Sequence, residues 1–314
     1  MSLTAERRVN LRLEIPPEAS NSFCNLEHKL GQDTTTRILT ARERRISMFT
    51  RILEPSLTEP FYFLYFTAKD DTITREDAAS DFRKFLLHVN KMKPLPKFIA
   101  MCGGLTDSQQ ETDQRIPRAK LRLEAALDCL ESQVKVLYVA ASGDFKGRLD
   151  TEDVDIYKRS FGDDWYGFWV CGVAFLVLNT VYYRDDLDNG SIMQREEQND
   201  WIDSELLQQQ IFQAKRTIIL QDCAPCRGRV DKEENEQTDY ERWLNKFERS
   251  GVTHLLCRER YDRREDDAAN HHIHILPNEV NQKSNWFVRL VKVTSDDVFH
   301  TLYAANELPE LVYI

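Results

Sequence analysis

No stretch of this 314-residue chain approaches the ~20 consecutive apolar residues that a bilayer-spanning helix requires. Its first residues carry Glu6, Arg7 and Arg8 instead of an apolar core, so no secretory signal is expected. A basic excess is missing too: 42 Lys and Arg face 52 Asp and Glu, for a formal charge of -10. The clustered cations that grip phosphate backbones are therefore not expected, nor is nucleic-acid binding. No internal repeat or low-complexity tract is present. Seven cysteines, an odd number at scattered spacings, make no disulfide framework. Free thiols, a cytoplasmic setting and a protein partner of unknown identity are the expectations. What remains is 41% hydrophobic and 30% charged residues with a mean hydropathy of -0.53, the balance of a folded globular chain. The length allows one large domain plus an extension, or two small domains.

Residues 1–58 read as an N-terminal extension before a domain over 59–314. They are polar, lack strand patterning and end in a Pro-containing stretch. Within them Ile38, Leu39, Ile46, Phe49, Ile52 and Leu53 recur at roughly helical spacing, with Arg37, Arg42, Arg44, Arg45 and Arg51 between them. This predicts a basic amphipathic helix over 37–53. It would lie either on its own domain, arginines in water, or on a membrane or partner.

From Phe61 the pattern becomes regular. Dense apolar runs predict strands at 61–67, 97–102 and 134–140. Helical spacing predicts helices at 76–91 and 114–130. This alternation implies an α/β domain with right-handed crossovers. Further on, 165–170 and 173–179 read as a hairpin about Cys171 and Gly172. A long helix over 194–212, a strand at 216–221, a helix at 240–249 and a strand at 253–257 follow. The pair 286–293 and 298–303 closes the chain. Ligands of open α/β sheets bind beyond the carboxyl ends of the strands, so the informative segments are 68–71, 103–107, 142–147, 222–226 and 258–263.

Those five segments, in this order, carry a resemblance to the calcineurin-like metallophosphoesterases. Three stretches give it specificity: 91–107 (KMKPLPKFIAMCGGLTD), 161–183 (FGDDWYGFWVCGVAFLVLNTVYY) and 201–221 (WIDSELLQQQIFQAKRTIILQ). They resemble the calcineurin-like phosphoesterase domain-containing protein 1 group within that family. The resemblance implies a sandwich of two mixed β-sheets flanked by helices. It also implies two divalent ions clamping a phosphoryl group, held by a bridging carboxylate with Asp, Asn and His around them. A further His would serve as proton donor.

Residue by residue, the resemblance carries over poorly. The first motif, Asp-x-His or Asp-x-Gln, falls on Ala68, Lys69 and Asp70. Gly-Asp, source of the bridging carboxylate, falls on Gly103 and Gly104. Gly-Asn-His falls on Ser142, Gly143 and Asp144, so an acid stands at the catalytic His position. The single-His motif falls on Asp222, and Gly-His-x-His on Glu259, Arg260, Tyr261 and Asp262. No intact catalytic residue and no metal cofactor are expected from this set. Arg260 either pairs with Asp262, Asp222 or Asp70, replacing the metals as counter-charge, or points to solvent. The leading expectation is a pseudoenzyme that binds or regulates a partner. The alternative is a phosphoesterase or protein Ser/Thr phosphatase whose Asp70, Asp144, Asp222 and Asp262 hold Mn²⁺, Mg²⁺ or Ca²⁺.

Two other constellations stand apart from the family motifs. Cys223 and Cys226 have Cys-x-x-Cys spacing after a strand, suited to redox exchange or half a zinc site, but no second such pair exists. His271, His272 and His274 form a short tract in which His272 and His274 would share one face of a strand. There they could bind a metal, but no third ligand is evident nearby, and a surface loop or strand edge is the default reading for them.

Overall fold

The computed structural model describes residues 37–54, 59–68, 76–103, 115–145, 149, 151–183, 187–223, 239–259, 273–278 and 286–314. The strands are β1 (Phe61–Ala68), β2 (Phe98–Cys102), β3 (Lys135–Val139), β4 (Tyr166–Val170), β5 (Val173–Leu178), β6 (Arg216–Cys223), β7 (Val252–Glu259), β8 (His274–Pro277), β9 (Trp286–Val293) and β10 (Val298–Ala304). The helices are α1 (Glu76–Val89), α2 (Arg115–Leu127), α3 (Thr151–Phe161), α4 (Asn189–Ile211) and α5 (Asp239–Arg249).

The strands form two five-stranded sheets, ordered β10-β9-β1-β2-β3 and β4-β5-β6-β7-β8. Both are mixed. In the first, β1, β2 and β3 run parallel, and β9 runs antiparallel to both of its neighbours, β1 and β10. In the second, β5 to β8 run parallel and β4 is antiparallel. This is the α/β sandwich flanked by helices that the sequence predicts.

Period-two alternation explains the layers. Phe61, Phe63 and Tyr65 of β1 face Phe168, Phe175, Leu220 and Leu256 of the second sheet in one buried cluster. Phe63 stacks on Phe98 at 4.7 Å and meets Phe175 edge-on at 5.4 Å, so aromatic pairs join the two sheets. Each such pair is worth about 0.5–1.5 kcal/mol beyond its buried area. The opposite face of β1, with Tyr62, Leu64 and Phe66, is covered by Phe82, Phe85 and Leu86 of α1, Leu123 of α2 and Tyr157 of α3. On the second sheet, Leu176 and Ile219 are covered by Ile202 and Leu206 of α4 and by Leu244 and Phe247 of α5. The Asp188 carboxylate caps α4 by accepting from the Ser191 N–H at 2.7 Å.

The helix expected over 37–53 does not form. Residues 37–54 run as an irregular strap inside the compact unit Arg37–Ile314 that also holds the sheets. Ile38 joins the core under the helices, while Ala41, Ile46 and Phe49 enter the core between the sheets. Apolar residues bound for two different cores cannot share one helical stripe. Glu43 and Arg44 also take left-handed backbone conformations, with φ of 51° and 62°, which end any helix.

The strap bonds along one edge of each sheet. Leu39 N–H donates to Val136 O, and Val136 N–H to Arg37 O, both at 2.9 Å. Gly167 N–H donates to Arg44 O at 3.0 Å and Trp169 N–H to Phe49 O at 2.9 Å. Arg44 and Arg45 meet acids, while Arg42 and Arg51 are exposed. The Arg44 guanidinium lies 3.6 Å from the centre of the Trp165 ring and beside Asp163 and Asp164, and Arg45 pairs with Glu205.

Candidate functional site

The carboxyl ends of β2, β3, β6 and β7 meet where the two sheets face each other. Tyr65 OH donates to Gln221 O at 2.6 Å, joining β1 to β6 across the sandwich. At this junction lies Asp222, whose side chain is 1% exposed. Its Oδ1 accepts from Arg258 Nε at 2.6 Å. Its Oδ2 accepts from the Ser142 N–H at 2.8 Å and from Arg258 Nη2 at 3.5 Å. Arg258 Nη2 also donates to Ser142 Oγ at 3.0 Å. One guanidinium thus ties the end of β7 to the end of β6 and to the turn after β3.

Strand alternation puts this pair together. Gln221 pairs with Cys257 and Cys223 with Glu259, so Asp222 and Arg258 stand side by side on neighbouring parallel strands. Both follow the parity of Leu220 and Leu256, which face the space between the sheets. Gly103, at the end of β2, has φ +71°. A Cβ there would lie 3.0 Å from Ala141 Cβ and 3.4 Å from Arg258 Cδ and Nε. The missing side chain leaves room for the guanidinium.

Ser142, Gly143 and Asp144 form a short 3-10 turn. The Asp144 carboxylate, fully buried, caps that turn by accepting from the Ala141 N–H at 3.1 Å. Arg115 on α2 donates to Asp144 O at 2.8 Å, holding the turn from behind. Burial pushes the Asp144 carboxyl up to about 7, and the nearby Asp222 charge adds to the rise. Its Oδ1 has no hydrogen-bond partner among the described residues. Cys102 Sγ lies 3.9 Å from Asp222 Oδ1 and Cys223 Sγ 3.7 Å from Oδ2. Burial, then the Asp222 charge, raises the Cys102 thiol well above its ordinary range, which keeps it protonated and unreactive.

Of the positions taken from the sequence, the structure brings Gly103, Ser142 and Asp222 together and turns Asp144 inward as a cap. Asp70, Gly104, Arg260 and Asp262 lie outside the described residues, as do Cys226, His271, His272 and the side chain of Ala68. Asp222, one of the acids considered as a partner for Arg260, pairs with Arg258, two residues earlier. The signal for it is parity: 218, 220 and 222 share one face of β6, and 254, 256 and 258 share one face of β7. His274 stacks on His254 with ring centres 4.9 Å apart, on the second sheet. Among the described residues Cys102, Cys129 and Cys171 are free thiols. No helix of the described residues is long and apolar enough to cross a membrane.

The described residues do not fit a two-ion clamp. No group of three or more His, Cys, Asp or Glu among them is placed to hold a metal ion. Both Asp222 oxygens already accept from N–H donors, and an incoming cation would meet a fixed guanidinium.

No protein-family model matches the chain. It is similar to the serine/threonine-protein phosphatase CPPED1 of Pongo abelii, 25% identical over 230 residues covering 71% of this chain and 72% of that one. The Mus musculus protein of the same name is 23% identical over 291 residues, covering 86% and 92%. Among solved structures, GAP50 of Plasmodium, described as the anchor in the inner membrane complex, is 11% identical. It covers 79% of this chain and 86% of that one at a TM-score of 0.43, too loose a superposition to bear on the site. Through its curated relatives the chain resembles, over most of its length, the calcineurin-like phosphoesterases, and within them the calcineurin-like phosphoesterase domain-containing protein 1 group.

Proposed function

We propose that this chain is a phosphoesterase relative that has exchanged two-metal chemistry for an internal ion pair, and that it serves as a binding or regulatory module for a protein partner. The observation that carries this is the Arg258–Asp222 pair, 2.6 Å between Nε and Oδ1 and closed on its other side by Ser142. A buried carboxylate needs a compensating positive charge, and a guanidinium supplies it permanently because it does not deprotonate. The cytoplasmic setting expected from the cysteine usage accords with this reading.

The second reading is a metal-dependent protein Ser/Thr phosphatase with an altered, carboxylate-rich site. The names of the curated relatives favour it. The test is elemental analysis after purification with Mn²⁺, Mg²⁺ and Ca²⁺, followed by phosphate release from phosphoserine and phosphothreonine peptides. The proposal expects no stoichiometric metal and no release above background. Metal-dependent release that Asp222→Ala abolishes would overturn it in favour of the phosphatase.

A further inference from the structure

The sheet edges are treated unequally. The strap seals β3 at 37–39 and β4 at 44–49. β8 is four residues long and ends in Pro277, which has no N–H to offer a neighbour. β10, at the end of the first sheet, is seven residues, VFHTLYA. Among the described residues only β9 pairs with it; outside the ladder Val298 N–H donates to Asp297 Oδ1 at 2.8 Å, His300 Nδ1 lies 3.1 Å from Arg289 Nη1, and Ala304 O accepts from Glu307 N–H.

An exposed edge is a template for another strand, and proteins blunt such edges with Lys, Pro, charge or bulges. β10 has none of these: it holds no charged residue and no proline, and its register against β9 is unbroken from Val298↔Val293 to Ala304↔Phe287. Its apolar exposure is also concentrated. Phe299 is 54% exposed and Tyr313 84%. Lys292 joins them, its Nζ lying 5.9 Å from the Phe299 ring centre and donating to Tyr313 O at 2.7 Å.

We infer that β10 pairs antiparallel with β10 of a second copy of this chain, joining two five-stranded sheets about a two-fold axis at Thr301. The strand is self-complementary in that register. With Thr301 opposite itself, Phe299 meets Tyr303 of the partner subunit, His300 meets Leu302 of the partner subunit, and Val298 meets Ala304 of the partner subunit. No like charges oppose, and the aromatic pair falls on one face twice over, as cross-strand pairing favours. A closed two-fold pair consumes both open edges, whereas a foreign strand would have to match each copy separately. The contact is short, and short interfaces give weak, concentration-dependent association.

The test is sedimentation velocity on the full chain from low to high micromolar concentration. The wild type is expected to move from the 36.8 kDa protomer mass toward twice that value. Thr301→Lys and Thr301→Glu, each placing like charges on the axis, should each stay monomeric, and an equimolar mixture of the two should pair again. Restored pairing in the mixture also shows that both variants fold. In the wild type, amide exchange within Val298–Ala304 should slow as concentration rises. A wild type that remains monomeric throughout, or single variants that pair as well as it does, would overturn the inference.

Discussion

Replacing Arg258 with Met keeps the length of the side chain and removes its charge. Asp222 would be left buried, 1% exposed, with the Ser142 N–H at 2.8 Å and two weak thiol contacts as its described partners. Stripping one partner from a buried pair costs about 3–5 kcal/mol, because the remaining charge is neither hydrated nor balanced. Asp222→Asn in the same background removes the stranded charge and keeps an oxygen for Ser142. The double variant should therefore recover about 2 kcal/mol of the loss, a coupling typical of residues in direct contact. Urea unfolding of wild type, both single variants and the double variant at pH 8 measures this. A cost for Arg258→Met below about 0.5 kcal/mol, or single costs that simply add, would refute the claim that the pair balances a buried charge.

Two further outcomes follow from the same junction. The folded chain holds the Asp144 proton up to about pH 7, while the unfolded chain releases it near the ordinary 3.8. Between those values the folded state binds more protons, so this group stabilises most below pH 4 and its contribution falls, by roughly 4 kcal/mol, as pH rises to 7. Asp144→Asn should lack that fall, so its stability relative to wild type should rise between pH 4 and pH 8 in urea titrations; an unchanging difference would count against the buried acid. Gly103→Ala should cost about 1–2 kcal/mol for its left-handed backbone alone. Adding Ala141→Gly, which removes the atom 3.0 Å away, should return only the crowding part of the loss, and a neutral Gly103→Ala would contradict the geometry.

Most strands were legible because they are buried on both faces and read as dense apolar runs: 286–293 coincides with β9, and the Cys171–Gly172 turn lies where the hairpin was expected, both residues at positive φ. α3 escaped notice because its buried face is only Val154, Tyr157, Ser160 and Phe161, and β8 because four residues carry too little pattern. The strap misled more seriously. Its apolar spacing imitates a helix, yet Ile38 and Ile46 serve different cores, and two of its arginines, Arg44 and Arg45, meet Asp163, Asp164 and Glu205, residues more than a hundred positions away. At the site, the family motif points to Asp222, while the cation that balances it, Arg258, lies within β7 and outside any family motif. The pleat of β7 already aims Arg258 at the carboxylate.

The strap also dictates an order of events during synthesis. It leaves the ribosome well before the strands it seals, since Arg37 waits for Val136 and Phe49 for Trp169. Residues 37–39 have no edge to bind until β3 has emerged, and residues 44–49 have none until β4 has emerged. A chain stalled or cut short before β4 would keep Ala41, Ile46 and Phe49 without the β4 residues they pack against. Such fragments are the ones expected to aggregate or to be held by chaperones, and completion of β4 is the step that ends that hazard.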